Sequence, residues 1–237
     1  MSMGYRILIQ GFPGRTDRGF LGWSTIVLFQ TEDGPALLDT GAAGDRPGLL
    51  AALKREGLAP EDIRHIWLSH LHFDHTGNVE CFSQARVHLH EDELSYFNGP
   101  GRYDPAMPVF LVESLLRCPR LELRSDEPEL SEGVQMIRTP GHSGGHTSLV
   151  LEDAAGCTVF AQDAVKNRVE ANGGPVAGAF DLENANASVA RIRTRADRIL
   201  PGHDVPLRKV DNGFIPESGQ CQRITVTTNN HIHDLVV

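Results

Sequence analysis

Apolar residues along this chain fall mostly into short runs or strict alternation, which are the signatures of strands buried on two faces and on one face respectively. Tyr5–Ile9 and Ser24–Gln30 read as strands, Glu32-Asp33-Gly34 as a hairpin turn, and Ala36–Leu38 as the continuation of the sheet. Asp45 is placed to cap a helix through Leu49, Leu50 and Leu53, with Pro47 in its first turn and Gly57 at its end. Ile66-Trp67-Leu68 is a short buried strand, Val87–Leu89 another, and Glu91–Phe97 and Met107–Arg117 are helices. Between those helices the composition of 98–105, rich in Gly and Pro, predicts an irregular loop that serves as a lid, a pocket wall or a simple connection. Strands near 121–123, 134–138, 147–151 and 158–162 precede a helix over about 183–196. Strands interleaved with helices and no internal repeat make this an α/β chain.

Length and charge narrow the class. The 237 residues suit one domain, 1–237, with 211–237 as an extension of it. Lys and Arg number 22 against 31 Asp and Glu, a net charge of −9, so no basic footprint for nucleic acid is expected. No stretch approaches transmembrane length, and Ile7-Leu8-Ile9 is broken too soon by Gln10, Gly11 and Pro13 to be a signal core. Cys81, Cys118, Cys157 and Cys221 have no Cys-x-x-Cys spacing, which is simplest as reduced thiols in a cytoplasmic protein. A small-molecule substrate is the expected partner, with no membrane; the acidic balance disfavours nucleic acid without excluding it, and the oligomeric state is not encoded in any motif.

The chemistry is concentrated in Ser69-His70-Leu71-His72-Phe73-Asp74-His75, which sets three imidazoles and a carboxylate in a loop behind a buried strand. Imidazole nitrogen and carboxylate oxygen suit a borderline divalent cation such as zinc. His70 and His72 share a side of an extended segment, so one ion takes both, while Asp74 and His75 diverge as the chain turns towards Gly77 and begin a second set. Downstream, Thr139-Pro140-Gly141-His142 offers a third ligand for the first ion. The strand Val159–Gln162 ends at Asp163, whose two oxygens can serve one ion each, and Ile199-Leu200-Pro201-Gly202-His203 supplies an imidazole to complete the set of Asp74 and His75.

These motifs in this order, with Leu37-Leu38-Asp39-Thr40-Gly41 upstream, resemble the metallo-β-lactamase-fold superfamily of binuclear hydrolases over roughly Tyr5 to Val210. The resemblance implies an αββα sandwich of two mixed sheets with helices on the outer faces and the metals along one edge. It implies one ion on His70, His72 and His142, a second on Asp74, His75 and His203, and Asp163 bridging. Asp39 matches a carboxylate that orients the metal loop from behind; the plainer reading is a strand-end Asp capping its own turn. The two ions are expected to be zinc, with manganese or iron as alternatives. A hydroxide held between them would attack an ester-like bond in a lactone, thioester, β-lactam or phosphodiester, with Asp74 passing the proton to the leaving group.

A small-molecule lactone or ester is the leading substrate class, because the metal loop resembles that of small lactonases and only about thirty residues follow His203. Those lactonases carry a Tyr shortly after the bridging Asp, whereas Ala164-Val165-Lys166-Asn167 has none. The alternatives are a hydrolase of RNA or other phosphodiesters and a mononuclear-iron persulfide oxidoreductase. A purely structural zinc site would be closed with four ligands, and seven candidates exceed that need. Among the remaining histidines, His88 and His90 read as ordinary strand residues with one edge exposed. His146 reads as a packed turn residue behind the ligands, and His231 and His233 as catalytically silent. Lys166 and Arg168 lie close enough in sequence to Asp163 to meet an anionic group on a substrate, although surface charge is the commoner explanation.

Overall fold

The computed structural model describes residues 4–219, 222–228 and 231–236. The chain begins with β1 (Tyr5–Ile9), a short hairpin of β2 (Arg15–Thr16) and β3 (Gly19–Phe20), β4 (Ile26–Thr31), β5 (Gly34–Leu38) and helix α1 (Arg46–Arg55). Then come β6 (His65–Trp67), one helical turn α2 (Phe73–Thr76), β7 (Arg86–His90), α3 (Glu91–Phe97), α4 (Val109–Leu115) and β8 (Leu121–Arg124). The second half runs β9 (Glu129–Ser131), β10 (Val134–Arg138), β11 (Thr147–Asp153), β12 (Gly156–Gln162), α5 (Arg168–Ala171), α6 (Leu182–Arg195), β13 (Arg198–Pro201), β14 (Leu207–Val210) and β15 (Gly213–Pro216). A hairpin of β16 (Arg223–Thr228) and β17 (His231–Val236) ends the described chain; Cys221 lies outside the described residues, and Cys81, Cys118 and Cys157 are free thiols.

Two sheets result, ordered β1-β4-β5-β6-β7-β8 and β15-β14-β13-β12-β11-β10-β9. Alternation on β4 shows how they stack. Val27 and Phe29 point inward with Ala36, Leu38 and Trp67 to meet Met136, Leu149, Phe160 and Leu200 of the other sheet. Ile26 and Leu28 point outward with Leu37 and Ile66 onto Leu49 and Leu53 of α1. On the far side Val159, Ala161 and Ile199 pack against Val189 and Ile192 of α6, whose buried face Ala185, Ser188, Val189 and Ile192 has the helical period. Each fully buried Leu or Ile contributes about 1.5–3 kcal/mol. The layers are helix, sheet, sheet, helix, and both sheets are mixed: β5 to β8 run parallel, as do β12 and β13, against antiparallel neighbours.

Parallel strands carry their C-terminal ends to one edge of a sheet, where loops are free to build a site. Asp39 follows β5, the His70–His75 loop follows β6, Asp163 follows β12 and His203 follows β13. At two of these exits the backbone is left-handed without glycine, at Asp39 (φ 59°) and Gln162 (φ 47°). Such conformations cost about 1–3 kcal/mol each and cluster where function fixes the chain.

Several local expectations are revised. Asp45 does not cap α1; its Oδ2 accepts the Ala42 N–H at 2.8 Å, closing the turn before the helix. The 98–105 loop contains a 3-10 turn at Pro100–Tyr103. β9, β14 and β15 are too short to show the alternation that would have announced them, and β16, which does alternate Ile224 and Val226 with polar residues, lies outside the expected strands. His88 and His90 are not half exposed: both are 2 % exposed. His90 Nδ1 accepts the Asp92 N–H at 3.1 Å and so caps α3.

His88 stacks on Trp67, with ring centroids 3.9 Å apart. The Arg124 guanidinium, which can only donate, reaches its Nδ1 at 3.1 Å. Its Nε2–H is therefore left to donate to His65 Nδ1 at 2.9 Å. Burial, helped by Arg124, His65 and Arg86, pulls its pKa down to about 3. The unfolded chain, titrating near 6.5, binds a proton that the folded chain refuses. This stabilisation is complete above about pH 6.5 and is lost as pH falls through that window towards 3. Urea midpoints measured from pH 7.5 to 4.5 should fall with acidification, and less steeply in His88→Gln; parallel slopes would assign the acid lability elsewhere.

Candidate metal centre

Seven side chains converge at the shared edge. His70, His72 and His142 form one set of donors, Asp74, His75 and His203 another, and His70, His75 and Asp163 a third that joins them; within each set the donor atoms lie within 4.8 Å of one another. Asp163 Oδ1 lies 3.4 Å from His75 Nε2 and 3.3 Å from His203 Nε2. Its Oδ2 faces the other way, 3.2 Å from His142 Nε2, which is 3.0 Å from His72 Nδ1. Asp74 Oδ2 closes the second set, 3.5 Å from His203 Nε2 and 3.8 Å from His75 Nε2. Donors held 2.0–2.1 Å from a tetrahedral zinc are separated by about 3.3 Å, which is the spacing seen here. Gly202 makes room for the carboxylate, since a Cβ there would lie 2.1 Å from Asp163 Oδ1.

The orientation of the rings is a second test of fit. A neutral imidazole has one N–H, and four of the five spend it on an acceptor behind them. His75 Nδ1 donates to Asp39 Oδ2 at 2.7 Å and His203 Nδ1 to Trp23 O at 3.0 Å. His72 Nε2 donates to Asp104 Oδ2 at 3.1 Å. His70 Nδ1 donates to Ser69 Oγ at 2.9 Å, whose own proton goes to Asp39 Oδ2 at 2.7 Å. The inward nitrogens of these four neutral rings therefore present lone pairs to the centre, while His142 faces His72 Nδ1 at 3.0 Å and Asp163 Oδ2 at 3.2 Å through its Nε2. His70 Nε2, His75 Nε2 and Asp163 Oδ1 are buried with no hydrogen-bond partner among the described residues. Buried lone pairs facing each other are costly unless a cation lies between them, so the donor set fits divalent ions.

The electrostatics agree. Burial pulls the His75 imidazole down, but Asp74, Asp163 and Asp39 outweigh it and hold its pKa well above the usual value. Burial pushes Asp163 up, yet His203, His75 and His142 drive it well below the carboxylate range. Burial pulls His70 far down, and the neighbouring His75, His72 and His142 add to it. The site thus draws positive charge towards the Asp74–His75–His203 side and keeps the His70 side as neutral donors.

All seven candidates named from the sequence meet here, and Asp39 stands behind two of them. It is fully buried and accepts Ser69 N–H at 2.7 Å as well as the bonds above. His146 is not in the donor sets; its Nδ1 pairs with Thr139 Oγ1 at 2.9 Å. Lys166 and Arg168 are engaged with protein carboxylates, Lys166 Nζ 3.0 Å from Glu170 and Arg168 in a two-pronged pair with Asp204 at 2.6 and 2.8 Å. His231 and His233 lie on the exposed β17. Sequence reasoning missed Asp104, Tyr96, Glu93 and the Trp23 carbonyl. Asp104 sits in the irregular loop, where Tyr96 OH also donates to its Oδ2 at 2.9 Å; no local pattern marks it.

Comparison with known proteins places this geometry. The model of the metallo-beta-lactamase superfamily matches residues 19–203. An N-acyl homoserine lactonase of Bacillus cereus is 32 % identical over 214 residues, covering 77 % of this chain and 81 % of that protein. Mouse metallo-beta-lactamase domain-containing protein 1 is 30 % identical over 209 residues, covering 86 % and 74 %. Among solved structures, AidC, described as a dizinc quorum-quenching lactonase in complex with a product, superposes with a TM-score of 0.68 at 22 % identity, over 83 % of this chain and 80 % of that one. The donor geometry, the layered sheets and these matches together make the chain a member of the metallo-beta-lactamase superfamily and a binuclear metal-dependent hydrolase.

Proposed function

We propose that the protein hydrolyses the ester bond of a small-molecule lactone. One divalent ion would be held by His70, His72, His142 and Asp163 Oδ2, and the other by Asp74, His75, His203 and Asp163 Oδ1. The observation that carries this reading is Asp163, whose two oxygens face two different imidazole sets. The likeness to the Bacillus cereus lactonase supports the substrate class. Nitrogen and carboxylate donors suit zinc best, and manganese or iron would fit the same positions.

Bound there, two divalent ions supply a water of lowered pKa and polarise the carbonyl under attack. The rest falls to the protein. Asp39, Asp104, Ser69 and the Trp23 carbonyl hold each ring by its outer N–H, fixing which nitrogen faces the centre. Asp74 Oδ2 lies in the donor set, while its Oδ1 has no hydrogen bond among the described residues. That free oxygen is placed to take a proton from the attacking water and return it to the departing oxygen. Phe20, 65 % exposed, overhangs Phe73 at 6.1 Å, putting apolar surface beside the residue that precedes Asp74. Tyr96 does not replace the absent tyrosine after Asp163, because its hydroxyl is committed to Asp104.

Lactone, thioester, β-lactam and phosphodiester substrates assayed on one metal-verified preparation test the proposal. Lactone should be turned over with the highest kcat/KM; a preference for phosphodiester, or inactivity on lactones and esters, overturns it. Because the ligands come from separate loops, metal should also stabilise the fold by mass action. Removal with a chelator is expected to lower Tm by roughly 5–15 °C, and an unchanged melting curve in calorimetry would show that the loops are held by protein contacts alone.

A further inference from the structure

The two halves of the donor set share Asp39, which reaches His75 directly and His70 through Ser69, but are otherwise oriented by different parts of the fold. Asp39 holds His75, the Trp23 carbonyl holds His203, and Ser24 Oγ donates to the Asp74 carbonyl at 2.5 Å. None of these comes from α3. The other half is built on that helix. Glu93, in its first turn, is 0 % exposed and accepts three hydrogen bonds from two loops. Its Oε1 takes the Leu71 N–H at 3.0 Å, between His70 and His72. Its Oε2 takes Ser143 Oγ at 2.7 Å and the Gly145 N–H at 2.9 Å, just past His142.

The close fit of loop to helix extends beyond Glu93. A Cβ on Gly145 would lie 2.0 Å from Glu93 N, and one on Gly144 2.8 Å from the Tyr96 Cβ, so both glycines are needed for the His142 loop to rest on α3. One helical turn after Glu93, Tyr96 fixes Asp104, which in turn fixes His72. Glu93 and Tyr96 stand three residues apart on one helical face.

Resting on the two-ion reading above, we propose that Glu93 is a positioning residue that ties the His70–His72 loop to the His142 loop and thereby sets the metal affinity of that half-site alone. It touches neither substrate nor donor atom. A buried carboxylate accepting three hydrogen bonds cannot be replaced by an amide without facing at least one N–H or O–H with another donor. In Glu93→Gln one of the two loops loses its acceptor whichever way the amide turns.

Metal-free protein titrated with cobalt, followed by its visible absorption, and with zinc against a chromophoric chelator reads the two sites separately. Glu93→Gln should weaken one step by about 10–100-fold and leave the other unchanged. Added to His203→Ala it should weaken the remaining site; added to His142→Ala it should change nothing. Equal weakening of both steps, or of neither, overturns the proposal. Melting of the metal-free proteins separates misfolding from misplacement. Should Glu93→Gln fail to fold, Glu93→Asp, which keeps the charge but shortens the reach, should show the same selective loss. A wild-type protein that takes up a single ion rejects the two-ion reading itself, a result visible before any variant is compared.

Discussion

Asp163→Ala is expected to abolish high-affinity binding of both ions and to lower hydrolysis by at least about 10²–10³-fold, the scale on which losing one preorganised electrostatic group is felt. Asp163 Oδ1 sits 3.3–3.4 Å from the nitrogens of His203 and His75, and its Oδ2 3.2 Å from that of His142. Alanine removes both contacts and leaves those imidazoles without the charge that gathers them. Asp163→Asn keeps one carbonyl oxygen and should retain one ion of the two. Elemental analysis after gel filtration checks this directly: two tightly bound ions in Asp163→Ala would mean that the carboxylate is a neighbour of the centre and not its bridge.

The second large effect is expected at Asp74, where coordination and proton transfer can be separated. Asp74→Asn preserves one oxygen for the donor set and removes the proton acceptor, so kcat should fall by about a hundredfold or more, the usual size of a general acid–base contribution. KM should change much less. The loss should shrink for esters whose leaving group departs as a stable anion, because such a group needs little protonation. A matched pair of substrates with good and poor leaving groups, assayed on variant of known metal content, decides the matter; equal losses on both would leave Asp74 as a ligand only.

The layered sheets were legible because burial leaves a period in the sequence. Val27 and Phe29 face one core and Ile26 and Leu28 another, so β4 stands in the sequence as an unbroken apolar run, the mark of a strand buried on both faces. β9, with three residues, is too short to show a period, and α2 is a single turn whose residues were chosen for their donors and not for helix propensity. The same logic separates what was visible at the site. His, His, Asp and His in one loop advertise chemistry by composition, and the exits of strands ending in Asp163 and His203 complete it. Asp104 reaches His72 across 32 residues and the Trp23 carbonyl reaches His203 across 180. Such partners are created by the fold, and a backbone carbonyl has no sequence signature at all. Glu93 looks like any acidic residue in a first helical turn, which is why its three buried hydrogen bonds emerge only in three dimensions. Lys166 and Arg168 show the converse: sequence proximity to Asp163 left a substrate contact open beside the commoner reading as surface charge, and in the fold they pair with Glu170 and Asp204.

The measurement that bears most directly on the whole account is the number and dependence of bound ions. Protein prepared with zinc and freed of loosely held metal should contain two ions per chain, one lost on replacing His142 and the other on replacing His203. A single ion per chain that survives replacement of Asp74, His75 or His203 would contradict the binuclear centre on which this account stands.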